Sequence, residues 1–257
     1  MIHLYSISGW GRTERAGANL ARVKWHQPAR LQEVLTIAAG EAAAKMKTCQ
    51  CQGIETEFDQ REAAKKLADY RKHGPPATTR ILIDALREAG IENRTLLDVG
   101  GGVGAIQHAL LKAGARSAVS VDASTAYVAA AQEEARRQDL SERIEFHRGD
   151  FVELAGAIPP ADIVTLDRVI CCYDDMPALV GLSAARAQRL YALVYPRDAG
   201  WVRLGLRLEN LFLRLKGSSF RAFVHPTAAV EAILRTHGLR RRFYRHTGVW
   251  QVAVYER

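Results

Sequence analysis

The sequence predicts an α/β protein built on a parallel sheet with helices on both faces, and three observations predict it. Strand-length apolar runs alternate with helix-length amphipathic runs through residues 94–195, the order that right-handed crossovers require. The run ADIVTLDRV (161–169) is apolar almost throughout, as a strand covered on both faces must be. A turn of glycines and one valine, residues 100–104, joins a strand to a helix, where only residues lacking Cβ turn so tightly.

The elements follow in order. FDQREAAKKLADYRKH (58–73) has the spacing of an amphipathic helix, and Gly74-Pro75-Pro76 ends it. A second helix over 78–89 is stopped by Gly90. The pattern then reads strand 94–99, helix 103–113, strand 117–122, helix 124–138, strand 143–147, strand 162–167, helix 175–189 and strand 190–195. An insert, 199–226, precedes a helix opened by Pro226 and two strands, 239–245 and 249–255, around His246-Thr247-Gly248. Residues 1–45 differ, with Trp10, Trp25, scattered arginines and little periodicity. They are expected to be a poorly packed extension, with the domain proper starting near Met46.

Composition narrows the functional classes. The chain of 257 residues is long enough for one α/β domain with a sizeable core plus additions. No apolar run reaches the ~18 residues that a transmembrane helix needs, and nothing resembles a secretory signal. The four cysteines, Cys49, Cys51, Cys171 and Cys172, form no obvious disulfide framework, which points to a reducing, cytoplasmic setting. The net charge of +8 is uneven: residues 186–257 hold 14 Lys and Arg against 4 Asp and Glu. A solvated basic face, an acidic small molecule, a membrane surface or a nucleic acid would each fit that excess.

The chemistry concentrates at LLDVGGGVG (96–104). Asp98 ends the strand two residues before the first glycine, so a phosphate would be a poor guest and a cation a good one. Asp122, 24 residues after Asp98, ends the next strand, where an acid can accept both ribose hydroxyls. A third strand ends in Gly149-Asp150-Phe151. Position 107 is Gln, so the dinucleotide fingerprint G-x-G-x-x-G is incomplete. The set resembles class I S-adenosylmethionine-dependent methyltransferases, loosely closest to the magnesium-protoporphyrin O-methyltransferase branch.

That resemblance implies a Rossmann-like sheet of seven strands, mostly parallel with one antiparallel strand. It implies S-adenosyl-L-methionine as cofactor, lined by Asp98, Gly100, Gly102, Gly104, Asp122, Ala123, Asp150, Phe151 and Asp167. Within it, Asp150 would take the adenine amino group and Phe151 would cover the ring. Residues 46–92 become cap helices, 93–198 the cofactor core, 199–226 a substrate insert and 227–257 the closing helix and hairpin.

After the fourth strand the chain reads DRVICCYDD (167–175). The Asn/Asp-Pro-Pro-aromatic motif of exocyclic-amine methyltransferases is absent there, which argues against a nucleobase amine as acceptor. Cys171 and Cys172 read as packed small side chains, as a nucleophile for carbon methylation, or as thiolates shared with Cys49 and Cys51; no metal is expected. Tyr173 and His225 are the candidate catalytic residues. Tyr173, Trp201, Arg221 and His225 are the candidate substrate contacts, with Leu204, Leu208 and Leu211 extending an apolar wall. The helical spacing of the insert also suits a partner helix or weak membrane-surface contact through 199–216.

The expected function is methylation, favouring oxygen, of a small anionic molecule. Nucleic acid is the weaker partner. An RNA methyltransferase using the basic C-terminal part, and a non-catalytic S-adenosylmethionine-binding module, are the alternatives. A chain starting at Met46 is expected to melt within a few degrees of the full chain by calorimetry, because ~1 kcal/mol moves a domain of this size by about 2–4 °C. Aggregation of that chain would show that residues 1–45 are needed.

Overall fold

A computed structural model describes residues 53–257. The expectation for residues 1–45, and Cys49 and Cys51, lie outside the described residues. A helical turn over 53–57 leads into helices α1 (Gln60–His73) and α2 (Ala77–Glu88). The core continues β1 (Thr95–Val99), α3 (Ala105–Lys112), β2 (Ser117–Asp122), α4 (Thr125–Arg137), β3 (Ile144–Arg148), the short α5 (Phe151–Leu154) and β4 (Ala161–Asp167). It closes with α6 (Met176–Arg186), β5 (Ala187–Pro196), α7 (Gly200–Leu215), α8 (Thr227–Thr236), β6 (Arg240–Thr247) and β7 (Trp250–Glu256).

The seven strands lie in the order β3-β2-β1-β4-β5-β7-β6. Strands β1 to β5 pair in parallel, and β7 runs antiparallel to both β5 and β6. Side chains alternate across the sheet. Leu97, Val99, Val164 and Leu166 pack with α6 and α8 on one face, while Leu96 and Ile163 pack with α2 and α3 on the other. Burial on both faces explains why β4 reads as an apolar run rather than an alternating one. Edge strand β6 is exposed along most of its length and carries Arg240, Arg241, Arg242 and Arg245, charges that discourage pairing with another edge.

One boundary differs from the sequence reading. The helix expected over 175–189 ends at Arg186, and β5 starts at Ala187. Good helix formers are recruited into the strand because Ala187 pairs with Ala161, and the Arg189 guanidinium donates to the carbonyls of Ala89 (2.6 Å) and Gly90 (2.8 Å). Tertiary pairing outweighs local propensity here.

Helices α1 and α4 are joined through Glu134, which is fully buried. Its carboxylate accepts from Arg71 Nε (2.8 Å), Arg137 Nη2 (2.5 Å) and Gln138 Nε2 (2.5 Å). Burial alone would raise its pKa, but these donors overcome that and hold it at about 2. Replacing it removes the acceptor that three donors share, so Glu134→Ala is expected to cost about 1–3 kcal/mol, read as a lower melting temperature. The contribution is complete above the ordinary value of 4.5 and is lost as pH falls towards about 2. An unchanged melting temperature in the variant would contradict this role.

Candidate active site

The site is built at the carboxyl ends of β1, β2 and β4, where the strand order reverses. Gly100 donates from its backbone to Val121 O (2.7 Å) and turns at φ 67°. A Cβ there would come within 2.4 Å of Val169, so the turn after β1 and the turn after β4 are in close contact. Gly104, at φ 85°, starts α3; a Cβ on it would meet the buried His108 ring at 2.5 Å. These two positions admit only glycine, which is why the sequence is so restricted there.

Asp98 is 1 % exposed. Its Oδ1 accepts from Thr165 Oγ1 at 2.6 Å, while its Oδ2 has no hydrogen-bond partner among the described residues. Burial pushes its pKa up to about 7, aided by Asp167 and Asp122 and opposed by the Thr165 hydrogen bond. Oδ2 borders the space above Gly101 together with Ser120 Oγ and Gln107 Nε2, and Gln107 donates to Ser120 (3.1 Å). Thr165 and Ser120 carry no signal in the sequence, each being a short polar side chain in an apolar run, and Gln107 reads there only as a break in the dinucleotide fingerprint.

Asp122 holds two turns at once. Its Oδ2 accepts from Gly102 N (3.0 Å) and its Oδ1 from Ser124 N (2.9 Å). Burial still raises its pKa, against those two donors. Each carboxylate oxygen has capacity for a second donor. Ala123, between them, is half-buried. The 53–58 segment covers this corner: Phe58 O accepts from Ser124 Oγ (2.7 Å), and Phe58 packs edge-on against Tyr127 and Phe220.

At the end of β4, Arg168 is a non-glycine residue at φ 62°. Such a left-handed backbone at a switch point stores strain that the surroundings must hold. Its Nη2 donates to Thr78 Oγ1 (2.6 Å), and the guanidinium lies over Trp250 at 5.0 Å. Its Nε is 3.7 Å from Asp167 Oδ1, too long for a hydrogen bond, and both atoms lack partners among the described residues. Thr79 Oγ1 donates to Asp167 Oδ2 (2.5 Å). Burial raises the Asp167 pKa, while Arg168 and Thr79 oppose the rise. Helix α2, expected to be only a cap, thus supplies two groups to the site.

The other candidate residues are held as follows. Asp150 accepts from Val152 N (2.8 Å) and from Tyr173 OH (2.8 Å), so Tyr173 braces Asp150 and is itself buried, rather than standing open to a substrate. Phe151 is 4 % exposed and packed in the core, which leaves little ring to cover a ligand. His225 Nε2 lies 2.8 Å from Ile170 O and 3.0 Å from Tyr173 O, so this nitrogen donates and the ring pins the 220–226 loop to the turn after β4. Burial lowers its pKa despite those carbonyls. Arg221 donates to the carbonyls of Ser218 (2.6 Å) and Phe220 (2.5 Å), shaping the same loop. Trp201, Leu204, Leu208 and Leu211 point to water, not to the sheet edge.

The sulfurs of Cys171 and Cys172 lie 3.7 Å apart. The Cys171 hydrogen bond and burial push the Cys172 thiol well up, which disfavours the thiolate that a nucleophile needs. Glu57 and Glu209 were missed in the sequence because they lie far apart in it. Burial raises both carboxyls, Glu209 adds repulsion at Glu57, and both act on Cys172.

Comparison with known proteins agrees with this geometry. Residues 60–185 match the family model of an O-methyltransferase domain. Over 95 residues the chain is 36 % identical to the ribosomal protein L11 methyltransferase of Psychrobacter, covering 36 % of this chain and 31 % of that protein. It thus spans about a third of the length of the curated relatives it matches. A magnesium protoporphyrin IX methyltransferase from Synechocystis, crystallised with bound SAH, superposes with TM-score 0.63 at 18 % identity, over 79 % of this chain and 98 % of that one. An O-methyltransferase family protein from Burkholderia thailandensis gives 0.61 at 18 % identity, over 79 % and 62 %. The chain thus shares its fold with these methyltransferase structures, and residues 60–185 are similar to an O-methyltransferase domain. The Synechocystis enzyme was crystallised with SAM as well as with SAH.

The unpaired Asp98 oxygen makes a direct prediction. Asp98→Asn keeps the shape and the Thr165 hydrogen bond but removes the charge. It is expected to weaken S-adenosylmethionine binding by at least about tenfold in calorimetry, with little change in melting temperature. In the wild type the affinity should fall as pH drops below about 7, where Asp98 takes up a proton. It should fall again above about 8, where an α-amino group loses one. Equal affinity for the two proteins would remove Asp98 from the binding site.

Proposed function

We propose that this protein transfers a methyl group from S-adenosylmethionine to an oxygen of a small anionic acceptor. The observation that carries the reading is the buried Asp98 carboxyl with one oxygen unpaired beside the glycine turn. A buried carboxylate without a partner is costly, and a cationic ligand group placed above Gly101 relieves that cost. The residues present therefore fit the cofactor. Asp98 would hold its ammonium, Asp167 and Arg168 would bracket its methionine end, and Asp122 would take the ribose hydroxyls with its spare acceptor capacity. Asp150, steadied by Tyr173, would border the adenine side, and Gly100, Gly102 and Gly104 would keep the backbone close.

When bound, the cofactor supplies a methyl carbon already activated by its sulfonium. The protein has to align the acceptor and exclude water. Oxygen is favoured by the O-methyltransferase domain match and by Asp167-Arg168-Val169-Ile170 standing where an amine methyltransferase would carry Asn/Asp-Pro-Pro-aromatic. An anionic acceptor is favoured by the basic balance of residues 186–257. A carboxylate acceptor needs no base; a hydroxyl acceptor does, and Glu209 on the inner side of α7 is our candidate. No helix among the described residues is long and apolar enough to cross a membrane.

The test is turnover with methyl-labelled cofactor and a panel of carboxylate and phenolic acceptors. Label is expected in a small organic product, released as methanol by base if a carboxylate is methylated. For a phenolic acceptor, Glu209→Gln should lower kcat by about a hundredfold or more with cofactor affinity unchanged. Label that enters RNA instead, with binding that weakens steeply in salt, would overturn the small-molecule reading. Tight cofactor binding with no transfer to any acceptor would favour the non-catalytic module.

A further inference from the structure

Helix α7 presents an apolar stripe to water. Trp201, Leu204, Leu208, Leu211 and Leu215 recur at steps of three and four, so they lie on one side of the helix. Their exposure runs from 54 % at Leu211 to 78 % at Leu215, and Phe212 beside them is 46 % exposed. The helix cannot roll to hide the stripe, because its opposite side is already fixed. Val202 and Leu213 are buried there, and Asn210 exchanges two hydrogen bonds with the Ala222 backbone (2.7 and 2.9 Å). Contiguous exposed apolar surface of this kind marks a contact site.

The charges around the stripe identify the partner. At about 100° per residue, Arg203, Arg207 and Arg214 fall along one flank of the stripe and Lys216 along the other. Arg203 pairs with Asp198, whereas Arg207 and Arg214 are exposed and have no ion-pair partner among the described residues. Lys216 folds over the Phe212 ring with its Nζ at 4.0 Å. The only acid of the helix, Glu209, is half-buried on the inner side. A second copy packing its own α7 on this helix would therefore bring the same arginines and no exposed acid to meet them.

We propose that α7 is a docking helix for the surface of a bilayer containing anionic lipid. Its stripe enters the acyl boundary, and Arg207, Arg214 and Lys216 lie at the level of the phosphates. An apolar face flanked by cations, on a helix too short and too charged to span, is the form such elements take. The docking is independent of which acceptor the enzyme methylates.

The experiment is flotation of the full chain with vesicles of phosphatidylcholine alone and of phosphatidylcholine with phosphatidylglycerol. The protein is expected to float with the anionic vesicles, and severalfold less when salt rises from about 0.1 to 0.5 M. Leu208→Glu with Leu211→Glu should abolish flotation without lowering the melting temperature, since both side chains already face water. Arg207→Gln with Arg214→Gln should reduce it by about fivefold for each charge. Wild-type protein that stays in the aqueous fraction at low salt would overturn the proposal. So would a Leu208→Glu, Leu211→Glu variant that floats as well as the wild type. Sedimentation showing a dimer that this same variant dissociates would assign the stripe to a second copy instead.

Discussion

The constraint on which the site depends is the burial of the Asp98 carboxyl at the end of β1 with only one of its oxygens paired. The groups close to it keep that oxygen both dry and unpaired. Thr165 on the neighbouring strand fixes the other oxygen, so the carboxyl cannot rotate to satisfy itself. Gly100 lets the chain turn back at once, against Val169, without filling the space. Gln107 donates to Ser120, and neither side chain is hydrogen-bonded to Oδ2. The result is a buried carboxyl with one oxygen that no described residue satisfies.

The opposite wall carries the opposite charge. Arg168 is held in a left-handed backbone conformation by contacts from α2 and β7, through Thr78 and Trp250. Strain of this sort persists only where the surroundings enforce it. Here the enforcing groups come from sequence positions on both sides of the core. The cap helix and the closing hairpin are therefore part of the site's construction, not additions to it. An acid on one side and a guanidinium on the other suit a ligand end that bears both charges.

Much of this was legible in the sequence, and the limits have a physical cause. The glycine turn declares itself because steric exclusion at positions 100 and 104 leaves no other residue type. The parallel sheet follows from alternation and from the doubly buried β4, whereas the strand order does not. The roles of Tyr173 and His225 were not legible. Their side chains were read by residue type, yet what they do is set by partners far away in sequence: Asp150 for one, the carbonyls of Ile170 and Tyr173 for the other. The α7 stripe shows the same limit in reverse. Periodicity gave the helix and its apolar side, but Asn210 and Ala222 decide which side faces the protein. Glu57 and Glu209, distant in the chain, have no sequence signal that would bring them together.

The most direct measurement of the central claim is the number of protons exchanged on cofactor binding, read from calorimetry in buffers of different ionisation enthalpy. A carboxyl lifted to about 7 is largely protonated at pH 6 and must ionise to hold an ammonium group. The wild type is predicted to release close to one proton per S-adenosylmethionine bound at about pH 6, and Asp98→Asn none. No proton release by the wild type, or the same release by both proteins, would contradict the assignment of Asp98.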